Sequence, residues 1–173
     1  MSAAELLDDP AGLEAADPAG MLRAVASGAA QVREAAVLSA EADVARLAQE
    51  DLPRSVVVLG MGGSAIAGDL LTAVAGPECP VPVISVRAPV LPVWVGAADL
   101  VVAVSCSGTT EETLAALEEA VRRGCRLLVV GADGSPVHDL ASRGRGVFVP
   151  VTQGRQPRAS VFAESPEKPS RSW

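Results

Sequence analysis

A run of aliphatic residues that ends in a glycine cluster constrains this chain more than any other feature. Residues 56–59 are Val-Val-Val-Leu, residues 60–63 are Gly-Met-Gly-Gly, and a pattern of small and apolar residues at helical spacing follows at once. This order predicts a buried strand, a tight turn and the N-terminus of a helix. Glycine lets the backbone turn sharply and lets a ligand approach it, while the free N–H groups and the dipole of the helix favour an anion. The turn is therefore a candidate phosphate site.

A second turn of the same kind lies at residues 105–113, between an apolar run and a helix pattern. It carries hydroxyl groups on Ser105, Ser107, Thr109 and Thr110. Hydroxyls and backbone amides gathered at a helix N-terminus can bind the oxygens of one phosphate without a lysine or a metal ion. The alternative is that Thr109 or Thr110 only caps the helix.

Apolar runs alternate with helix patterns along most of the chain, which predicts an α/β fold. The expected strands lie at 56–59, 82–86, 100–104, 126–130 and 146–150. We expect a three-layer αβα sandwich around a five-stranded parallel sheet of flavodoxin-like order, 2-1-3-4-5, with N-terminal helices in front of it. In that order the strands that precede the two turns are neighbours, so both turns would face one pocket at the carboxyl ends of the strands.

The composition of the chain suggests three parts. Residues 1–50 are rich in alanine and read as helical, and the α/β domain extends over residues 51–160. Residues 161–173 have lost the apolar periodicity and are rich in proline, serine and charge, so we expect an irregular tail there.

Charge and cysteine content exclude several classes of function. The net charge of −7 argues against nucleic acid and acidic membrane surfaces as partners, because both need clustered lysine and arginine. Three cysteines and one histidine, His138, lack the spacing of metal ligands and do not form a disulfide scaffold. The first ten residues do not resemble a signal peptide, and no apolar run is long enough to span a bilayer. We expect a cytoplasmic protein without a metal ion or a cofactor, and His138 as a surface residue.

The first turn also permits a second interpretation. Gly60 to Ala65 satisfies the G-x-G-x-x-G/A pattern of dinucleotide-binding proteins, and Arg87 follows the second strand, where it could meet a 2′-phosphate. That fold does not require a turn rich in serine and threonine after the third strand, and no acidic residue ends the second strand here. A Walker-type phosphate loop is excluded, because no glycine is followed by Lys-Ser or Lys-Thr.

The segments GMGGSAIAGDLL and SCSGTTEETLAALEEA, with LPVWV between them and GRQPRAS beyond, resemble the sugar isomerase (SIS) domain. The resemblance is closer to the N-terminal half of the bifunctional phosphoglucose/phosphomannose isomerases, and it covers roughly residues 21–160. It implies a hexose 6-phosphate ligand and a homodimer. The residues implied to line the sugar-phosphate pocket are Gly62, Gly63 and Ser64, and those implied to hold the phosphate are Ser105, Ser107 and Thr110. Arg158 matches the catalytic arginine placed near the reacting carbons.

Two departures from the family limit what the resemblance implies. Cys106 and Thr109 stand where the family commonly has tyrosine and asparagine, and we expect Cys106 to point into the sheet because side chains alternate along a strand. The family's base glutamate, histidine and lysine belong to a second SIS subdomain, and no residue here matches them. We therefore expect either half of an isomerase that needs a separate C-terminal half, or a module that senses or sequesters a sugar phosphate without turning it over.

Overall fold

The computed structural model describes residues 8–152, which form a sheet covered by helices on both faces. The strands are β1 (Val56–Gly60), β2 (Val83–Val86), β3 (Leu100–Ser105), β4 (Arg126–Gly131) and β5 (Val147–Pro150). The α-helices are α1 (Pro10–Ala16), α2 (Met21–Ala26), α3 (Gly28–Glu41), α4 (Ile66–Ala75), α5 (Glu111–Arg122) and α6 (Pro136–Arg143). Two 3-10 helices occupy Val44–Gln49 and Gly62–Ala65. The predicted tail at 161–173 lies outside the described residues.

All pairs of neighbouring strands are parallel, and their order is β2-β1-β3-β4-β5. The predicted α/β fold and strand order are therefore confirmed. Gly60, the last residue of β1, lies opposite Val104 of β3. Because the two strands end at almost the same level, the loops that follow them leave the carboxyl edge of the sheet side by side.

Side chains of the central strands alternate between two apolar cores, one on each face of the sheet. Val57, Val101 and Val129 share the first core with α5, α6 and the segment between β2 and β3. Val58, Val102 and Val130 share the second core with α4, and α3 packs against it through Leu38. Burial on both faces explains why the strands read as uninterrupted aliphatic runs.

The carboxylate of Asp99 is fully buried at the amino edge of the sheet, opposite the two loops. It accepts hydrogen bonds from Arg54 Nε at 3.0 Å and Nη2 at 2.5 Å, from Ser55 Oγ at 2.8 Å and from the Gly96 N–H at 2.9 Å. Burial by itself raises the pKa of Asp99, but the hydrogen bonds from Arg54, Gly96 and Ser55 outweigh it and hold that pKa below its ordinary value. This network ties the start of β3 to the start of β1.

Several large apolar side chains of the N-terminal helices are exposed, among them Leu22, Val25, Val32 and Val37. They lie on α2 and α3, in the segment that the sequence interpretation reads as helical.

Within residues 8–152, the helices are too short or too polar to cross a membrane.

Candidate functional site

The first loop connects β1 to α4 and contains the 3-10 helix Gly62–Ala65. Gly62 has a φ of 54°, a left-handed conformation that glycine adopts without strain. Gly62 and Gly63 are exposed, whereas Ser64 is buried at 9% exposure. The predicted tight turn is therefore present, with its glycines at the surface and its serine turned inward.

The second loop, residues 106–110, connects β3 to α5 and contains a set of hydroxyls bonded to one another. The buried Ser105 donates its Oγ hydrogen to Thr110 Oγ1 at 3.2 Å. The exposed Ser107 accepts at Oγ from the backbone N–H of Thr109 at 3.3 Å and from its hydroxyl at 3.2 Å. The four hydroxyls therefore form two hydrogen-bonded pairs, Ser105 with Thr110 and Ser107 with Thr109.

Thr110 is the N-cap residue of α5, but its side chain makes no capping hydrogen bond. Its hydroxyl instead accepts from Ser105 inside the second loop. Thr110 therefore occupies the capping position that the sequence suggests, but its side chain does not cap the helix. Because the first turn of α5 is not capped by that side chain, its N–H groups remain suited to an anion.

The two loops contact each other through Ser64 Oγ and Cys106 Sγ, which lie 3.5 Å apart. Cys106 is half-buried at the first position after β3. The prediction that Cys106 points into the sheet is therefore wrong. The strand ends at Ser105 and the chain turns at the next residue, so the alternation of side chains along the strand no longer applies.

A third loop, residues 132–135 between β4 and α6, packs against the second, and the sequence interpretation did not include it in the site. The Val137 N–H donates to Gly108 O at 3.3 Å. Gly108 has a φ of 71°, and a Cβ placed on it would lie well within 3.0 Å of Ser135 Oγ and Cβ. The pair Gly134-Ser135 before Pro136 signals a turn at the carboxyl end of β4, and this signal could have placed the third loop beside the other two.

Three further candidates remain. His138 contacts the third loop, where its Nδ1 accepts from the Gly134 N–H at 3.2 Å and lies 2.9 Å from Asp133 Oδ1. His138 stacks on Phe148 with ring centroids 4.0 Å apart and is about one-third exposed. Arg87, the candidate for a 2′-phosphate, is exposed and forms an ion pair of 2.5 Å with Asp69. Arg158 lies outside residues 8–152. Across those residues, His, Cys, Asp and Glu form no group of three that could hold a metal ion.

Comparisons with known proteins identify relatives in sequence and in fold. The chain is 38% identical over 112 residues to a bifunctional phosphoglucose/phosphomannose isomerase of Caldicellulosiruptor bescii, a match that covers 65% of this chain and 32% of that protein. The chain thus spans about a third of the length of this curated relative. No protein-family model matches it.

Two solved structures show the same fold. One is the sugar isomerase domain of an RpiR transcription factor from Sphaerobacter thermophilus, with a TM-score of 0.58, 17% identity and coverage of 82% of this chain and 83% of that one. The other is the NanR protein of Vibrio vulnificus, solved with ManNAc-6P, with a TM-score of 0.64, 19% identity and coverage of 87% and 59%. The predicted resemblance to SIS domains and to the bifunctional isomerases is confirmed.

Proposed function

We propose, from its similarity to the bifunctional phosphoglucose/phosphomannose isomerases, that this chain binds the phosphate of a hexose 6-phosphate at the carboxyl edge of its sheet. Gly62, Gly63 and Ser64 of the first loop would line the sugar-phosphate pocket. The phosphate oxygens would accept hydrogen bonds from Ser105, Ser107 and Thr110 and from the N–H groups that open α5. No lysine is required, because charge-assisted hydrogen bonds from hydroxyls and amides to a phosphate are strong.

The observation that carries this proposal is the pairing of the two loops. They follow adjacent parallel strands in register, and Ser64 and Cys106 bring them into contact. A glycine turn alone is common in α/β proteins, whereas two such loops in contact at the carboxyl edge of one sheet bring backbone N–H groups and hydroxyls from both loops to one place. The NanR structure shows that a protein of this fold can be solved with a phosphorylated sugar.

The reaction we propose is aldose–ketose isomerisation, with this chain as the N-terminal, phosphate-binding half of the enzyme. Arg158 would stabilise the negative charge that develops on the enediolate oxygen when a proton leaves the carbon next to the carbonyl. The base would come from a separate C-terminal half, because no residue here matches the family's base. We also propose a homodimer and a cytoplasmic location.

A second candidate is a module that binds a hexose 6-phosphate without converting it. Glu111 and Glu112 directly follow the second loop and are exposed in the first turn of α5. A base must lie within hydrogen-bond reach of the carbon that loses its proton, at the opposite end of the sugar from the phosphate. These two glutamates are therefore poorly placed for catalysis, which favours binding without turnover when the chain acts by itself.

Replacing Ser107 by alanine tests the phosphate site. We expect Ser107→Ala to weaken the binding of fructose 6-phosphate by roughly 1–3 kcal/mol, or about 5- to 150-fold in Kd, because one hydrogen bond to a charged group is lost. Isothermal titration calorimetry measures this change. Ser142→Ala is the matched control, since Ser142 is also exposed but lies near the end of α6. Equal affinities of the two variants would show that the phosphate is held elsewhere.

A further inference from the structure

The contact between Ser64 Oγ and Cys106 Sγ joins the first loop to the second. In the second loop, Ser105 bonds to Thr110, and Ser107 bonds to Thr109. In the first loop, the Ser64 N–H bonds to Met61 O at 3.1 Å. The hydroxyl of Ser64, by contrast, lies 3.5 Å from the thiol of a residue that follows a different strand.

We propose that Cys106 is a positioning residue of the sugar-phosphate site, whose thiol holds the Ser64 hydroxyl and thereby fixes the spacing of the first and second loops. This inference rests on the proposed function. A site built from two loops binds one ligand well only when both loops are held at the right distance before the ligand arrives. Ser64 is almost fully buried, so its hydroxyl has few alternative partners in water.

The chemistry of a thiol suits this position. A neutral thiol is a weak donor and a weak acceptor, so it can orient a serine hydroxyl without competing strongly with a phosphate for it. A thiolate at the same place would repel the bound phosphate. A phosphate bound at the second loop would also screen the Cys106 thiol from solvent. The site and the reactivity of Cys106 are therefore linked.

Two variants of Cys106 separate a positioning role from simple packing. We expect Cys106→Ala to raise the Kd for fructose 6-phosphate about three- to tenfold, because the Ser64 hydroxyl loses its thiol partner and the spacing of the two loops is no longer held. Cys106→Ser keeps a partner for the Ser64 hydroxyl and should stay within about twofold of the wild type. Cys79→Ala is the control, because Cys79 is also half-buried but its thiol bonds to Val81 O in the connection before β2. Thermal unfolding of each variant verifies that it is folded.

Alkylation tests whether Cys106 lies at the ligand site. Iodoacetamide reacts with the thiolate, a C–S bond forms as iodide leaves, and the thiol proton passes to solvent. We expect saturating fructose 6-phosphate to slow the labelling of Cys106 at least fivefold, as measured by mass spectrometry of the digested protein. Cys79 should label at the same rate with and without the ligand. Burial raises the pKa of the Cys125 thiol, so Cys125 should label slowly in both conditions.

The outcomes distinguish this inference from the function on which it rests. If the wild type binds fructose 6-phosphate, Cys106→Ala binds it more weakly, and the ligand protects Cys106, the positioning role is supported. If the wild type binds but Cys106→Ala has the same affinity and Cys106 is not protected, the role of Cys106 is wrong and the proposed function stands. If the wild type does not bind fructose 6-phosphate at all, the role of Cys106 and the proposed function are both overturned.

Discussion

The variant Gly108→Ala is expected to lose roughly 2–5 kcal/mol of unfolding free energy. A left-handed conformation costs about 1–2 kcal/mol in a residue with a Cβ, and an added methyl in a packed site costs about 1–3 kcal/mol. The methyl would collide with Ser135, whose side chain is buried and donates to Ala132 O at 2.5 Å. We also expect fructose 6-phosphate binding to fall below detection, because relief of the collision displaces the second loop.

Gly124→Ala is the matched control for that prediction. Gly124 has a similar φ of 67°, but a Cβ added to it would meet no atom within 4 Å. Gly124→Ala should therefore lose only the unfolding free energy that the left-handed conformation costs, about 1–2 kcal/mol, and should leave ligand binding unchanged. Chemical denaturation measures the unfolding free energy of both variants. Equal losses for Gly108→Ala and Gly124→Ala would contradict the close packing of the second and third loops.

The variant Asp99→Ala is expected to lose roughly 2–4 kcal/mol of unfolding free energy. The buried Ser55 hydroxyl would lose a partner at a cost of about 1–3 kcal/mol, and the half-buried Gly96 N–H would lose one at about 1 kcal/mol. Asp69→Ala is the control, because Asp69 also pairs with an arginine, Arg87, at 2.5 Å but both members of that pair are exposed. A surface pair contributes about 0–1 kcal/mol. Equal effects of the two substitutions would show that the buried network does not stabilise the fold.

The same network predicts how stability depends on pH. The pKa of Asp99 is lower in the folded chain than in the unfolded chain, so the folded state binds the proton less readily. Its contribution to stability is therefore complete above the unfolded pKa of about 3.9 and is lost as the pH falls through the lower folded pKa. We expect the difference in unfolding free energy between the wild type and Asp99→Asn to be constant above about pH 5 and to shrink below about pH 4. A difference that does not change down to pH 2 would contradict this.

The fold could be predicted because the signals for it are local. Each strand is an apolar run that ends in a turn, and the first strand differs from its expected range only by the inclusion of Gly60. The strand order is expected from the flavodoxin-like class of fold, and in that order the two glycine-serine loops lie on neighbouring strands. Burial of the sheet on both faces made these runs conspicuous in the sequence.

The site could be predicted only in part, because its contacts join residues far apart in the chain. Ser64 and Cys106 are 42 positions apart, and the pairing of Asp99 with Arg54 spans 45. No local sequence pattern indicates either contact. The direction of the Cys106 side chain depended on where β3 ends, and the ends of elements are the part of a fold that periodicity defines least well. The packing of Ser135 against Gly108 likewise depends on the distance between two loops.

The central claim is that the two loops bind a hexose 6-phosphate, and NMR of fructose 6-phosphate with the purified chain tests it most directly. Ser107→Ala serves as the control for a contaminating host isomerase. We predict that the ligand signals broaden with the wild type and much less with Ser107→Ala, and that neither glucose 6-phosphate nor mannose 6-phosphate accumulates. Unchanged ligand signals with the wild type would contradict the claim. Product that forms with the wild type alone would show that the chain contains its own base.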